Sequence, residues 1–505
     1  MKRRQFPFFM LGSLVLLAVI CAVTPATAQV YDIRLSGAQQ VPQNDSTATG
    51  RCLAGVSPDL GAMAVVCWHN VQNAQAAHIH RGAPDEIGPV VFPFDSVDSP
   101  FKGVFSLTAQ DLADLQAGMF YVNIHSADFP GGEIRGQIGP PADRAVLFPL
   151  DGSQAVPPTD LGEEGICAAV LSPLGDNFAL ACGHQLADVA AAHIHRGVPG
   201  EAGPVVYGLQ ASTTLAAEVT AANVDDFPGF LDDFLSGRLY VNVHTPDHPD
   251  GAIRGQLPAP PYALYFPQFG NGGGVGAAQE GPAEGFTSSI VLVNQSTTTA
   301  VEGVLYFMDQ DGMPLAVGLE GQGGVIPPGE PVSMVPFEIP PLGARVVTTN
   351  GQGPLVVGSA EVLSNGPVAG IVRFKIPGIG IAGFGSADPV QRAVAPVRIA
   401  GALRTAVAIR NNETYPITVS LELRDPDGTP SGLVGPGNNF AEVTIPANGR
   451  VAQFIDELFP QLEGQDFVGT LVIRAASGSF SAIALELGAQ PGEFTSLPVT
   501  PLVGP

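Results

Sequence analysis

Histidine is the residue type in this chain best suited to binding a metal ion or moving a proton, and the histidines follow one pattern twice. The sequence contains nine of them. His248 has no counterpart, and the others form pairs that recur in register: His69/His184, His78/His193, His80/His195 and His125/His244. Imidazole is the commonest metal ligand among the side chains. The repeated cluster is therefore the first candidate for a functional site.

Two short motifs carry the histidines of each copy. AAHIHRG begins at Ala76 and recurs from Ala191, and YVNIH begins at Tyr121 and recurs as YVNVH from Tyr240. Residues i and i+2 of a strand point to the same face, so both histidines of HIH project together. If the two motif strands are neighbours, three imidazoles meet at one point, which suits Zn²⁺ or Cu²⁺ with an open coordination position. The predicted ligands are His78, His80 and His125 in the first copy and His193, His195 and His244 in the second.

An HxH pattern also occurs in histidine clusters that only hold a loop in place, and this alternative stays open. The loop would be Pro130–Glu133. His69 follows Cys67 by two positions and shares its face, which a buried disulfide would turn inward. We therefore expect His69, and His184 by the same argument, to be a hydrogen-bonded core residue. A fourth ligand and a support for a ligand are the alternatives.

Arg135 and Arg254 alternate with apolar residues and are predicted to lie on the polar face with the histidines. The simpler expectation is an ion pair with Glu133 or with a nearby carboxylate. The alternative is an arginine that guides an anion toward a bound metal.

The first 28 residues are typical of a signal peptide. Lys2-Arg3-Arg4 precedes the uncharged apolar stretch Phe8–Val23, and Ala26-Thr27-Ala28 supplies a small-x-small cleavage site. An uncleaved membrane anchor is the alternative, and no later segment is long and apolar enough to span a bilayer. The sequence therefore predicts a secreted, periplasmic or cell-surface protein without a transmembrane segment after cleavage.

Four cysteines follow this peptide in two pairs, and the members of each pair are 15 residues apart around a central turn. An oxidising compartment permits disulfides, and two antiparallel arms would place the members of each pair opposite one another. We predict the bonds Cys52–Cys67 and Cys167–Cys182. CxxC spacing is absent, so the sequence does not suggest a zinc-thiolate site.

The formal net charge of −25 argues against a nucleic-acid partner. The sequence also lacks Gly-x-Ser-x-Gly, Walker and HExxH motifs, and no cysteine is a credible nucleophile. We therefore expect a non-enzymatic protein. No cofactor is certain from the sequence, and copper and zinc are the candidates.

With 62 glycines and 47 prolines, the composition favours short strands joined by turns and predicts an all-β fold. A looser duplication fills the C-terminal half, where Ser288–Leu315 resembles Thr405–Ser431. Helix is predicted only at Ser106–Gly118 and Thr220–Gly237. The expected organisation is a signal peptide at 1–28, repeat domains at 29–140 and 145–257, a Pro-rich linker at 258–261, and immunoglobulin-like β-sandwich modules at 262–390 and 391–505.

The run AAHIHRG…GPVV…YVNIH…PGGEIRGQI, spanning His78–Ile138 and again His193–Leu257, resembles the CHRD domain, first named from chordin. The resemblance implies two β-sandwich or barrel domains of a type found in extracellular proteins of animals and bacteria. In chordin these domains accompany the binding of secreted growth factors, but chordin's cysteine-rich modules are missing from this chain. The simple signal peptide and the Ala/Gly-rich composition point to a bacterial protein.

The histidine pattern also resembles copper/zinc superoxide dismutase, an all-β fold that holds copper outside its barrel. The resemblance implies that His78, His80 and His125 match three copper ligands and that Arg135 matches the guiding arginine. The bridging histidine and the zinc-binding aspartate of that family have no clear counterpart, which leaves dismutase activity without its full set of residues.

From the sequence we expect a secreted, non-enzymatic binding or adhesion protein. Two CHRD modules would present the ligand surface, two β-sandwiches would act as spacers, and the partner would be an extracellular protein or surface ligand. The alternatives are a copper- or zinc-binding protein with one triplet per module, and a structural component of the envelope or matrix.

Overall fold

The structure is a computed structural model that describes residues 29–57, 61–273, 285–320, 331–432, 439–488 and 494–502. The predicted signal peptide, residues 1–28, lies outside the described residues. Within them the chain consists of antiparallel strands and a few short helices, so the all-β prediction is confirmed. None of the described helices is long and apolar enough to cross a membrane.

The first of four successive units carries the first copy of the histidine motifs. Its described elements are β1 (Gln29–Ser36), β2 (Thr49–Val56), β3 (Ala62–His69), β4 (Ala74–Arg81), β5 (Val90–Pro93), β6 (Phe101–Ser106), α1 (Ala109–Gln116), β7 (Phe120–Ser126) and β8 (Ile134–Ile138). Hydrogen bonding follows the order β5-β4-β7-β8-β1-β2-β3-β6. The two strands that carry the triplet, β4 and β7, are therefore neighbours.

The second unit repeats this arrangement. Its elements are β9 (Ala145–Leu150), β10 (Gly165–Leu171), β11 (Phe178–His184), β12 (Ala191–Arg196), β13 (Val205–Leu209), β14 (Thr214–Val219), α2 (Phe227–Leu235), β15 (Leu239–His244) and β16 (Ile253–Gln256). They form the sheets β13-β12-β15-β16 and β14-β11-β10-β9. A bridge between Asp151 and Arg254 joins these sheets, as the pairing of Ser36 with Arg135 joins β1 to β8 in the first unit.

Each of these two units closes over an apolar core, because alternate residues of its strands point inward. Ile79 on β4 and Val122 on β7, for example, are fully buried. The cysteines face the same cores. Both predicted disulfides are confirmed, since directly opposite cysteines of antiparallel strands are bonded: Cys52 with Cys67 and Cys167 with Cys182.

Both predicted helices are confirmed, in shorter form. α1 follows Thr108, whose side chain accepts a hydrogen bond from the Asp111 backbone N–H while the Asp111 carboxylate accepts one from the Thr108 backbone. α2 follows Asp226, whose carboxylate accepts a hydrogen bond from the Gly229 N–H. Each helix connects the last strand of one sheet to the strand that carries the third histidine of the triplet.

The third unit is a two-sheet sandwich. Its described strands are β17 (Tyr262–Asn271), β18 (Thr287–Asn294), β19 (Val301–Met308), β20 (Met334–Ile339), β21 (Ala344–Thr348), β22 (Val356–Ser364), β23 (Val368–Ile376) and β24 (Gly380–Gly385). They form the sheets β17-β22-β19-β20 and β21-β18-β23-β24.

The fourth unit repeats the pairings of the third. Its described elements are β25 (Arg392–Ala400), β26 (Leu403–Asn411), β27 (Ile417–Arg424), β28 (Phe440–Ile445), β29 (Arg450–Phe454), α3 (Ile455–Leu458), β30 (Phe467–Ala475), β31 (Phe480–Leu487), β32 (Phe494–Leu497) and β33 (Thr500–Pro501). The strand order is β28-β27-β30-β25-β26-β31-β32, with β29 on β26 and β33 on β25. The exact module boundaries and the immunoglobulin-like assignment stay predictions.

The first two units pack against each other through strands β1–β3 of the first unit and β9–β11 of the second, which do not carry the triplets. Leu53 on β2 and Val170 on β10 belong to one buried apolar cluster. Beside it, Arg51 of the first unit donates a 2.8 Å hydrogen bond from Nη1 to Glu218 of the second. The histidine-bearing strands β4, β7, β12 and β15 contribute no residue to this cluster.

Candidate metal centre

The pairing of β4 with β7 places three histidines on one face. On β4 and β7, His80 lies opposite Tyr121, and His125 lies opposite Ala76, four residues further along β4. The residues between them, Ile79 and Val122, point into the core and are fully buried. The predicted outward-facing triplet is therefore present in the first unit, and the pairing of β12 with β15 repeats it in the second.

The imidazoles of each triplet converge. One ligand-capable nitrogen from each of His78, His80 and His125 lies within 4.8 Å of the other two. The same holds for His193, His195 and His244. Each set can therefore offer three nitrogen ligands to one cation.

Main-chain carbonyls determine which nitrogen of two histidines faces the centre. Nδ1 of His80 lies 2.9 Å from the carbonyl oxygen of Gly88, and Nδ1 of His125 lies 3.0 Å from that of Pro130. A carbonyl oxygen can only accept, so Nδ1 carries the proton in both rings and Nε2 keeps its lone pair. Nε2 of His80 is buried without a hydrogen-bond partner in the described part of the chain. A carbonyl that fixes the outer nitrogen is the usual support of a metal-bound histidine.

The third imidazole completes the centre through its other nitrogen. Nδ1 of His78 lies 3.3 Å from Nε2 of His125. Two nitrogen ligands at about 2.0–2.1 Å from a tetrahedral Zn²⁺ are separated by about 3.3–3.4 Å. The spacing therefore equals that of two ligands on one ion. Without an ion, the same spacing allows His78 to donate a hydrogen bond to His125.

The second triplet reproduces these distances. Nδ1 of His195 lies 2.9 Å from the Gly203 carbonyl oxygen, and Nδ1 of His244 lies 2.9 Å from that of Pro249. Nδ1 of His193 lies 3.2 Å from Nε2 of His244. Nε2 of His195 is again buried without a partner among the described residues.

Electrostatics favour neutral imidazoles at both centres. Burial lowers the pKa of His78, and the neighbouring His125 and His80 rings lower it further. Burial is also the main cause of the lowered pKa of His80, which the Gly88 carbonyl partly offsets. His193 and His195 have lowered pKa values for the same reasons. A neutral imidazole is the form that binds a metal ion.

An aromatic ring and an arginine support the middle histidine of each triplet. The His80 ring stacks on Tyr121 with centroids 4.9 Å apart, and the Arg135 guanidinium lies 3.5 Å from the centroid of the Tyr121 ring. The Tyr121 hydroxyl accepts a 3.1 Å hydrogen bond from the Gly88 N–H. Arg254, Tyr240 and His195 form the same stack in the second unit.

The expected ion pair between Arg135 and Glu133 is wrong. Arg135 donates from Nη1 to the Glu86 carbonyl at 2.8 Å and from Nη2 to the Ala83 carbonyl at 2.7 Å. Glu133 instead accepts a hydrogen bond from Ser46. Arg135 is only 2% exposed. Its guanidinium fixes the loop that supplies the Gly88 carbonyl, so it is not placed to guide an anion.

Sequence reasoning missed the loop residues that hold the histidine rings. A Cβ atom at Gly88 would overlap the carbonyl oxygen of Arg81, and one at Gly203 would overlap that of Arg196. Only glycine allows the loop to turn back this closely. The repeated dipeptides Gly88-Pro89 and Gly203-Pro204 were the available signal.

His69 and His184 lie outside the triplets. Nε2 of His69 is 2.9 Å from the Val97 carbonyl oxygen, and its Nδ1 accepts a hydrogen bond from the Val71 N–H. Nε2 of His184 is 2.8 Å from the Ser212 carbonyl oxygen. Both rings are thus held by a main-chain carbonyl, as predicted. His184 is buried but its Nδ1 has no partner in the described part of the chain, and His69 is only partly buried.

The chain contains two tandem CHRD domains. The model of that family, the CHRD domain, matches residues 31–138 and 146–257. The first unit of the fold is therefore the first CHRD domain, and the second unit is the second CHRD domain. No curated protein is significantly similar to the chain.

Two solved structures show distant similarity. A trypsin-activated alpha-2-macroglobulin from Escherichia coli is 11% identical over 94% of this chain, which spans 39% of that protein, with a TM-score of 0.14. An exo-beta-1,3-galactanase from Phanerochaete chrysosporium is 10% identical over 63% of this chain and 78% of its own, with a TM-score of 0.10. Scores this low support no inference. Nothing in these matches supports the resemblance to superoxide dismutase.

Proposed function

We propose that this protein is an exported, non-enzymatic binding protein in which each CHRD domain holds one copper or zinc ion. The observation that carries the proposal is the unpartnered, buried Nε2 of His80, which recurs at His195. Leaving a buried polar atom without a partner costs about 1–3 kcal/mol. A metal ion at the centre of the triplet removes this cost in both domains.

The donor set indicates the class of metal. Three neutral imidazoles without a carboxylate or thiolate suit Zn²⁺, Cu²⁺ and similar ions rather than Mg²⁺ or Ca²⁺, which prefer oxygen. Three protein ligands also leave a coordination position open. Cu²⁺ binds nitrogen sites more tightly than Zn²⁺, so we expect copper to displace zinc when both are present.

The tautomers proposed for the metal-bound state require one of the three rings to move its proton. His80 and His125 already direct Nε2 inward because carbonyls hold their Nδ1 protons. His78 directs Nδ1 inward and would carry its proton on Nε2. Binding then replaces one hydrogen bond between His78 and His125 with two metal–nitrogen bonds.

The disulfides support the part of the proposal that concerns export. Two disulfides are characteristic of an oxidising compartment outside the cytoplasm. The extracellular partner expected from the sequence stays a prediction.

Metal analysis by mass spectrometry of protein purified without chelator or nickel resin tests the proposal. We expect two equivalents of copper or zinc per chain, one after His78→Ala/His80→Ala, one after His193→Ala/His195→Ala, and none when all four changes are combined. His248→Ala is the matched control and should keep two. Absence of metal with no uptake of added Cu²⁺ or Zn²⁺, or full metal content in the fourfold variant, would contradict it.

A further inference from the structure

We propose that two copies of this chain associate through the outer face of the sheet β21-β18-β23-β24 in the third unit. We call this surface the open sheet face. Its residues are aliphatic and come from three adjacent strands: Val291, Val293, Ala344, Val346, Ala369 and Ile371. The proposal is independent of the metal centres.

The open sheet face is unusually apolar for an exposed surface. Ile371 is 50% exposed, Val346 48% and Val293 40%. Val291 lies directly between Val346 and Ile371 in the sheet, so the side chains form one continuous row. An antiparallel sheet with one solvated face normally places polar residues there. Large contiguous patches of exposed apolar residues mark interaction surfaces, whereas single exposed apolar residues do not.

The fourth unit provides an internal comparison, because its equivalent sheet is β29-β26-β31-β32. Asn294 at the end of β18 and Asn411 at the end of β26 fix the alignment. Each donates from Nδ2 to three main-chain carbonyls, including those of Ile339 and Ile445 respectively. In this alignment Ala408 corresponds to Val291 and Ile483 to Ile371.

In the fourth unit this face is covered. Ile483 is 6% exposed and Ala408 4%, and both pack into the apolar cluster of the third unit. Arg410, which corresponds to Val293, is fully buried and donates to the Glu361 carboxylate of the third unit. The same sheet face is thus buried against a β-sheet in one unit and bare in the other.

The distribution of charged residues favours contact between two open sheet faces over contact with another surface of the chain. In a head-to-tail arrangement, the open sheet face would instead meet the outer face of β25, β30 and β27 in the fourth unit. On that surface Glu422 pairs with Arg424 and Arg474, and Arg398 adds a further cation. The surface is therefore cationic, and the open sheet face ends in two more cations, Arg373 and Lys375. Like charges opposed across a contact are unfavourable.

Two-fold pairing of the open sheet face avoids this repulsion. With the axis at Ile371, the two copies of Arg373 would be about 14 Å apart along the strands, because each lies two residues from the axis at about 3.4 Å per residue. That separation exceeds the screening length of about 8 Å at physiological salt. The centre of the contact would then be aliphatic on both sides, as an isologous interface requires.

The size of the open sheet face limits the area that two copies can bury between them. The three strands are separated by two gaps of about 4.8 Å, and about five residues per strand then give a sheet area of about 10 by 17 Å. This is smaller than the roughly 800 Å² per partner of a standard stable complex. We therefore expect a weak dimer that forms only at high protein concentration.

Sedimentation velocity over a hundredfold range of protein concentration tests the proposal. The purified protein should shift from monomer to dimer, and Ile371→Glu should weaken association at least tenfold without changing the thermal midpoint. Val468→Glu is the matched control, since Val468 is 59% exposed on the opposite sheet of the fourth unit. It should leave association unchanged.

Cross-linking adds a measurement that does not depend on affinity. Ile371→Cys should give a disulfide-linked dimer under mild oxidation, and Val468→Cys should give none. A protein that stays monomeric at every concentration would overturn the proposal. So would a dimer that survives Ile371→Glu or is lost with Val468→Glu.

Discussion

The two CHRD domains hold the same histidine triplet on different supports. In the first domain, Asn123 beside the triplet accepts a 2.7 Å hydrogen bond from Gln40 through Oδ1. In the second, Oδ1 of the equivalent Asn242 is buried without a partner in the described structure. Glu133 of the first domain, which accepts a hydrogen bond from Ser46, is replaced by Ala252.

The comparison shows which contacts of the metal centre are shared by both domains and which differ between them. Both domains keep the three imidazoles, the two carbonyls that orient them, and the stacked tyrosine and arginine. Only the outer hydrogen bonds of the following loop differ. The repeated contacts are the ones that aim nitrogen lone pairs at a common point, so the comparison assigns the orienting role to them.

The largest expected effect is that of losing a disulfide, and it should be equal in the two domains. Each disulfide closes a loop of 15 residues, so its loss should cost about 3 kcal/mol through the entropy of the unfolded chain. Cys52→Ala/Cys67→Ala should destabilise the first domain, as followed by fluorescence of Trp68, the only tryptophan. Cys167→Ala/Cys182→Ala should destabilise the second, as followed by hydrogen exchange. A large difference between the two losses of stability would show that the disulfides do not stabilise the two domains equally.

Removal of the supporting arginine should also affect both domains equally. Arg135→Met and Arg254→Met each leave two loop carbonyls without their donor, which should cost about 2–3 kcal/mol. The loosened loop should weaken metal binding to the same domain. Denaturant unfolding and metal titration of each variant measure the two effects, and an unchanged metal affinity would show that the stack does not position the ring.

The contact between the first domain and the fourth unit should carry a pH dependence. Thr414 donates a 2.7 Å hydrogen bond to the Asp32 carbonyl, and burial raises the pKa of the adjacent Glu413 to about 7. The folded state therefore binds more protons than the unfolded state between the ordinary pKa and this value, so stability falls as pH rises. We expect a loss of about 2 kcal/mol from pH 5 to pH 7.

Glu413→Gln should abolish this slope, because it keeps the buried shape without a titrating proton. Urea unfolding followed by Trp68 fluorescence at both pH values measures it. Exchange of amide hydrogens in the second domain serves as the internal reference. A slope that persists in the variant would assign the titration to another group.

The smallest expected effect is that of removing the asparagine beside each triplet, and it should differ between the two domains. Asn123→Ala removes the hydrogen bond from Gln40 and should cost about 1 kcal/mol. Asn242→Ala removes a 3.1 Å hydrogen bond to the Asp250 carbonyl but also an unpartnered buried oxygen, so its cost should be about half as large. Thermal unfolding of the two variants checks the difference, and equal losses would show that Gln40 adds nothing.

Much of the centre could be predicted from the sequence because strand periodicity is local. Alternation placed His78 and His80 on one face with Ile79 on the other, and the structure confirms it. The cysteine spacing likewise predicted both disulfides, since two antiparallel arms bring residues equidistant from a turn together. The role of Arg135 could not be predicted in this way. Its partners lie 49 and 52 residues away in a loop whose path depends on the fold.

The sequence by itself determined the all-β architecture, the tandem CHRD domains, the disulfides and the outward face of each triplet, because these follow from short-range patterns and recurring motifs. The tertiary structure decided which imidazole nitrogen faces the centre, because that depends on how the loops after β4 and β7 turn back to place the carbonyls of Gly88 and Pro130 against the rings. It also decided that Ile483 is buried while Ile371 is exposed. Equivalent positions in a repeated sequence differ in this way only through what the rest of the chain packs against them.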